Sequence, residues 1–177
     1  MKPILTLLTL LTTTMLLCGC PFSSAYKLDD GPHQPIDEAL IGKWATLMKK
    51  PNKEKEEPVK LSIAKMNDME YSFSISGFID EMRPYKIITE DSIKGTAFLS
   101  TAANRQFLNL LIKDRVYIVE IKNERGSISF LPLAENFTAK MLKNCAALRT
   151  AIEYHYKTRV RPMYDDDFCL MEMVKVK

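Results

Sequence analysis

Gln106-Phe107-Leu108-Asn109-Leu110-Leu111-Ile112-Lys113-Asp114-Arg115-Val116-Tyr117-Ile118-Val119-Glu120-Ile121 is the stretch that decides the fold. Two apolar runs, Phe107 to Ile112 and Val116 to Ile121, stand either side of a break with turn chemistry at Lys113-Asp114. In the second run Val116 and Ile118 share one parity and Tyr117 and Val119 the other. Both faces are apolar, as expected of a strand covered on both sides.

The same rhythm extends outward. Upstream lie Ile41 to Met48, Val59 to Met66, Tyr71 to Ile79, Tyr85 to Thr89 and Ile93 to Leu99; downstream lies Ile128 to Leu133. Leu61 and Ile63 alternate with polar neighbours, as do Tyr71, Phe73 and Ile75. Asn67-Asp68, Glu90-Asp91, Ala103-Asn104 and Glu124-Arg125-Gly126 supply the turns. Many short strands joined by tight turns predict an antiparallel meander that closes into a barrel or forms a strongly bent sheet. Lys49 to Lys60 alternates Lys, Glu and Pro and reads as a solvated hairpin loop.

After Pro132 the period changes. Phe137, Met141 and Cys145 predict a helix over Ala134 to Asn144, and Leu148, Ile152 and Tyr156 a second over Ala146 to Lys157. Arg149, Glu153 and Lys157 give opposite charges four apart on its exposed face. Phe168 to Val176 returns as a last strand. The expected class is therefore mainly β with C-terminal helices (α+β), in one domain over residues 36–177, with the helical region at about 134–158 and the final strand at about 168–176.

Ahead of this domain, Lys2, an apolar run from Ile4 to Leu17 and then Leu17-Cys18-Gly19-Cys20 contain no acidic residue. A basic start, an apolar core of about 7–15 residues and small residues before a cut are the marks of an export signal. Cys-Gly-Cys-Pro-Phe-Ser-Ser ends the run short of the roughly 20 apolar residues a spanning helix needs. Leu17-Cys18-Gly19-Cys20 resembles the lipobox of bacterial lipoproteins. That resemblance implies a signal peptide over residues 1–19 and a mature chain beginning at Cys20. It also implies a diacylglycerol thioether on Cys20 and a further acyl chain, such as palmitate, on its amine. The residue after Cys20 is Pro21 and not aspartate, which in the sorting rule of Gram-negative lipoproteins implies the outer membrane, facing the periplasm. Residues 20–35, with Ser23-Ser24, Asp29-Asp30-Gly31-Pro32 and His33-Gln34-Pro35, read as a flexible tether.

Leu40-Ile41-Gly42-Lys43-Trp44 resembles the Gly-x-Trp start of lipocalin-like barrels, in which tryptophan closes one end. The runs Gln106 to Leu110, Val116 to Ile121 and Ile128 to Leu133 resemble the closing strands of small lipocalin-like envelope domains. This implies an eight-stranded barrel with a helix and a terminal strand, and no particular activity.

Loss of residues 1–19 removes Lys2 and no acid, leaving 24 basic against 22 acidic side chains. So small an excess gives no reason to expect nucleic acid as a partner. Beyond the anchor only Cys145 and Cys169 remain. In an oxidising compartment the pair is most simply a disulfide, closing a loop of roughly 25 residues, with two free thiols as the alternative.

Catalytic chemistry is scarce. The only histidines are His33 and His155, no serine has a nucleophile-elbow context, and no Gly-rich loop offers to hold phosphate. Asp165-Asp166-Asp167 lacks the alternating spacing of a calcium loop and reads as a solvated turn. Asn136-Phe137-Thr138 is a glycosylation sequon made incidental by bacterial export. No catalytic residue, cofactor or metal is expected. Two function classes follow. The first is a membrane-anchored, non-catalytic module for an apolar ligand or an envelope protein partner. The alternative is an envelope hydrolase built from dispersed carboxylates.

Overall fold

Eight antiparallel strands follow one another around a closed barrel. The computed structural model describes residues 23–49, 56–77, 92–124, 126–134, 136–138 and 141–176. The lipobox, the expected strand Tyr85 to Thr89 and the tip of the loop after Lys49 lie outside these residues.

The barrel strands are β2 (Gly42–Lys49), β3 (Glu56–Lys65), β4 (Tyr71–Ser76), β5 (Ile93–Ala102), β6 (Arg105–Ile112), β7 (Arg115–Glu124), β8 (Ser127–Pro132) and β9 (Leu170–Val176). Each pairs with the next, and β9 pairs back onto β2 through Ala45 and Val174, so no edge is left open. A two-residue strand β1 (Ser23–Ser24) pairs with the first part of β7, at Tyr117 and Val116. Among the described residues one helix, α1 (Cys145–Thr158), lies in the β8–β9 connection. This is the α+β class with a lipocalin-like barrel.

Alternation along the strands divides the side chains into two cores. Tyr117, Val119 and Ile121 point into the barrel with Leu61, Ile63, Phe73, Leu99, Leu108 and Phe130. Ile118 and Phe107 point outward and are buried under α1 by Leu148 and Ile152. This is why the run Val116 to Ile121 is apolar on both faces. The tight turns carry the backbone that two-residue hairpins need: Ala103 and Asn104 are left-handed at φ 50° and 57°, and Lys113 at 55°. Gly95 has no side chain because a Cβ there would meet the Phe73 ring at 3.0 Å and the Leu111 carbonyl at 2.2 Å.

Four expectations are corrected. Ala134 to Asn144 is not helical in its described residues. Leu133 bridges Tyr164, and the Ala134 N–H donates to Met163 at 2.8 Å, so the segment leaves the barrel as a paired strap. Phe137 is buried while Met141 is 83% exposed, so their spacing traces no common face. The helix starts only at Asn144, whose side chain accepts from the Ala147 N–H at 2.8 Å.

The stretch Lys49 to Lys60 is not a loop throughout: Glu56 to Lys60 belongs to β3, paired with Ala45 to Lys49 and anchored by buried Val59. The described part of the expected tether is docked on the barrel wall. Ser24 and Leu28 are buried, and the Leu28 N–H donates to Asn109 Oδ1 at 2.6 Å. Asp29 binds Arg149, which therefore faces this strap rather than pairing only along its own helix.

Cys145 and Cys169 are both free. Cys145 opens α1 beside Asp30, whereas Cys169 donates to the Asp165 carbonyl at 3.3 Å and lies near Asp166 and Lys122. The two thiols have separate surroundings, and burial pushes that of Cys169 up to about 12. Unfolded without reductant, the domain is expected to take a thiol label at both residues; protection of both would contradict this geometry.

Candidate functional site

The barrel axis holds an apolar cavity of about 90 Å³. Leu40 and Tyr71 bound it at one end; Ile75, Ile93, Ile112 and Leu170 line it toward the other. Strand register assigns the ends. Trp44, Tyr71 and the β5–β6 turn lie at the end closed by a short 3-10 turn, Glu38–Leu40. The β6–β7 turn, the end of β2 and the start of β9 lie at the opposite end.

The closed end is built from the Gly-x-Trp segment. Trp44 is buried, and its Nε1–H donates to the Leu40 carbonyl at 2.9 Å, tying the plug to β2. Lys175 Nζ lies 5.3 Å from the Trp44 ring centre. Gly42, at φ 145°, leaves space for the Lys175 stem, which a Cβ would meet at 2.4 Å. The Tyr71 hydroxyl takes the Asp37 N–H at 2.5 Å and donates to the Asp37 carbonyl at 3.2 Å; burial pushes its pKa up to about 12. The sequence places Trp44 correctly at a barrel end.

Chemically the cavity offers carbon and little else. An eight-stranded barrel has an interior that side chains just fill or that holds one small ligand. Drug-sized ligands occupy roughly 300–1,000 Å³, and a dry engineered cavity of about 150 Å³ holds benzene. At about 90 Å³ the space fits the tip of a thin apolar chain and not a bulky ring system.

Outside the barrel, Glu120 is the buried acid that the sequence reading did not single out. It lies on the outward parity of β7, under Tyr156 of α1 and Tyr164, the residue after α1 that bridges Leu133. Both phenols donate to its Oε2, and Arg105 Nη1 donates to Oε1 at 2.9 Å. The Arg105 guanidinium also faces the Tyr156 ring at 4.7 Å, and Lys122 Nζ the Tyr164 ring at 5.2 Å. Burial and the adjacent carboxylate push both phenols well above their ordinary range. The group works as a clamp joining α1, the Tyr164 segment and the barrel. An open polar groove of about 480 Å³ runs past it, lined also by Asn104, Gln106 and Asn123. Its available signal was one acidic residue inside an apolar run.

Asn109 is the second such polar residue. It is buried, donates to Ser100 Oγ at 2.8 Å, and accepts from Leu28. His155 packs edge-on to Tyr156, and burial lowers its pKa. Among the described residues no group of three His, Cys, Asp or Glu is placed to hold a metal.

Asp165 caps the turn Asp166–Phe168, accepting from the Asp167 N–H at 3.3 Å. Burial raises its pKa to about 6, helped by the neighbouring aspartates. An acid whose pKa is higher folded than unfolded takes up its proton first in the native state. Its ionisation therefore weakens the fold above about pH 6, and this penalty fades as pH falls from about 6 toward 4. Asp165→Asn is expected to raise stability at pH 7 by about 1 kcal/mol after solvent screening, with the gain gone by about pH 4. Urea midpoints across this range check the slope; a gain independent of pH would contradict it.

Comparison with known proteins adds no relative: no family model, curated protein or solved structure matches the chain.

Proposed function

We propose that the chain is a bacterial envelope lipoprotein, anchored through acyl chains on Cys20, whose barrel is a non-catalytic binding module for the end of an apolar chain. The observation that carries the binding half is the carbon-lined cavity of about 90 Å³ along the barrel axis. Support for the anchoring half is Lys2, the apolar run Ile4 to Leu17 and the lipobox-like Leu17-Cys18-Gly19-Cys20. Two or three acyl chains give a stable anchor where one gives marginal binding. The outer membrane, facing the periplasm, is the proposed location.

The binding test is displacement of an apolar fluorescent probe by fatty acids of graded length. Straight chains are expected to bind saturably, and bulky polycyclic ligands are not. Ala97 lines the cavity, so Ala97→Phe should weaken binding about tenfold or more. It should also cost about 1–3 kcal/mol of stability by overpacking. Wild-type affinity in a folded Ala97→Phe variant, or no binding by any chain, would remove this reading.

A further inference from the structure

The outer wall of the barrel has one covered side and one bare side. Among the described residues the outer core takes strand side chains from Ala102 on β5, Phe107 on β6, Val116 and Ile118 on β7, and Leu133 just after β8. It takes none from β9, β2, β3 or β4. β2 lies four places from β6 in the circle of eight strands, so its outer face points away from α1. Trp44 points into the barrel, and alternation therefore sends Lys43, Ala45 and Leu47 outward.

This bare face sets apolar side chains beside lysines. Val174 and Val176 of β9 are 53% and 41% exposed, and in the register they stand next to Ala45 and Lys43. On the other side of β2, Ala45 is the partner of Lys60. Lys43 and Lys60 are both exposed and lie diagonally across the β2–β3 pair, about 7–8 Å apart, where their charges repel. Their row partners are Val176, Ser62, Ala45 and Ser76, none of them acidic. The exposed acids of these three strands, Glu56 and Glu172, lie toward the other end, with Leu47 and Met171. A patch that is apolar and cationic together complements an anionic bilayer, whose headgroups take lysines and whose boundary takes aliphatic side chains. A second copy on the same face would instead bring these lysines toward lysines.

We infer that the outer face of β9, β2 and β3 rests on an anionic phospholipid surface, with Val174 and Val176 at the headgroup boundary and Lys43 and Lys60 against lipid phosphates. The contact stands on the folded wall and needs no acyl chain on Cys20. The barrel then lies on its side, with α1 turned to the aqueous phase.

Methyl groups already in the chain report this orientation. Val174 and Val176 mark the bare face, while Val160 and Met141 flank α1 in sequence at 76% and 83% exposure. Full-length protein labelled at valine and methionine methyls is placed on nanodiscs of phosphatidylethanolamine and phosphatidylglycerol that carry a nitroxide-headgroup lipid. Val174 and Val176 are expected to lose several-fold more intensity than Val160 and Met141. A lysine near an anionic surface is worth about fivefold in binding. Lys43→Gln with Lys60→Gln should therefore lower the ratio of docked to undocked molecules about twentyfold and flatten the contrast. Discs of phosphatidylcholine alone should flatten it likewise. Equal loss at all four methyl sites overturns the proposed face, as does a contrast that persists unchanged in both the double variant and the phosphatidylcholine discs. Shifts at Val174 and Val176 that grow with protein concentration in the absence of discs overturn it in favour of a second copy. The intact mass of the same sample reads acylation separately. Acyl mass without the contrast sinks the face alone, and the contrast without acyl mass sinks the anchor alone.

Discussion

Trp44→Ala is expected to lower folding stability by about 4 kcal/mol, near the upper end of large-to-small core changes. The indole fills the closed end of the barrel, ties the 3-10 turn to β2 through the Leu40 carbonyl, and lies under Lys175. Alanine would leave a cavity, free that buried carbonyl and unpin the plug at once. For a chain of this size the melting temperature should fall by about 10 °C. Trp44→Phe keeps one aromatic ring but loses the N–H donor and the five-membered half of the indole, so it should cost about 2 kcal/mol. Urea denaturation of both variants measures the difference. An alanine variant within about 1 kcal/mol of the parent would mean that the closed end does not depend on the indole.

Glu120→Ala is the second large effect, at about 3 kcal/mol. Its source is the pair of half-buried phenols, Tyr156 and Tyr164, left without their shared acceptor. Arg105 contributes less, since its side chain is 43% exposed and its charge can turn to water. Glu120→Gln keeps an acceptor and should lose about 1 kcal/mol. Tyr156→Phe and Tyr164→Phe should each lose a similar amount, and the double variant should depart from their sum because the three groups share one network. Additive losses would mean that the hydroxyls act separately. Amide exchange in α1 should rise in Glu120→Ala, because the clamp holds that helix to the wall.

How far the fold was legible follows from the same residues. The strands could be read because the barrel has a wet outer face over much of its circumference, and alternation in β3 and β4 records it directly. The double apolar character of β7 recorded the opposite, a wall covered by α1. Leu148, Ile152 and Tyr156 placed that helix because all three face one wall. The same rule failed for Phe137 and Met141, because the chain just before them is committed to pairing, Leu133 with Tyr164 and Ala134 with Met163.

The strap was illegible for a different reason. From Ser23 to Pro35 it buries few side chains, and its docking rests on Asn109, Arg149 and a two-residue strand, none of which leaves a periodic signal. Polar residues inside apolar runs were the overlooked clue. Asn109 and Glu120 each interrupt an outward-facing apolar series, and each proves to be the pin for a segment distant in sequence. The cavity itself could not be read, since its size depends on how neighbouring side chains interlock rather than on which residues face inward.

The proposed acyl anchor on Cys20 is tested most directly by the intact mass of the full-length gene product extracted from bacterial membranes. The account predicts a chain that begins at Cys20 and carries diacylglycerol and a further acyl chain. A protein that keeps residues 1–19, or that begins elsewhere with no added lipid, would contradict it.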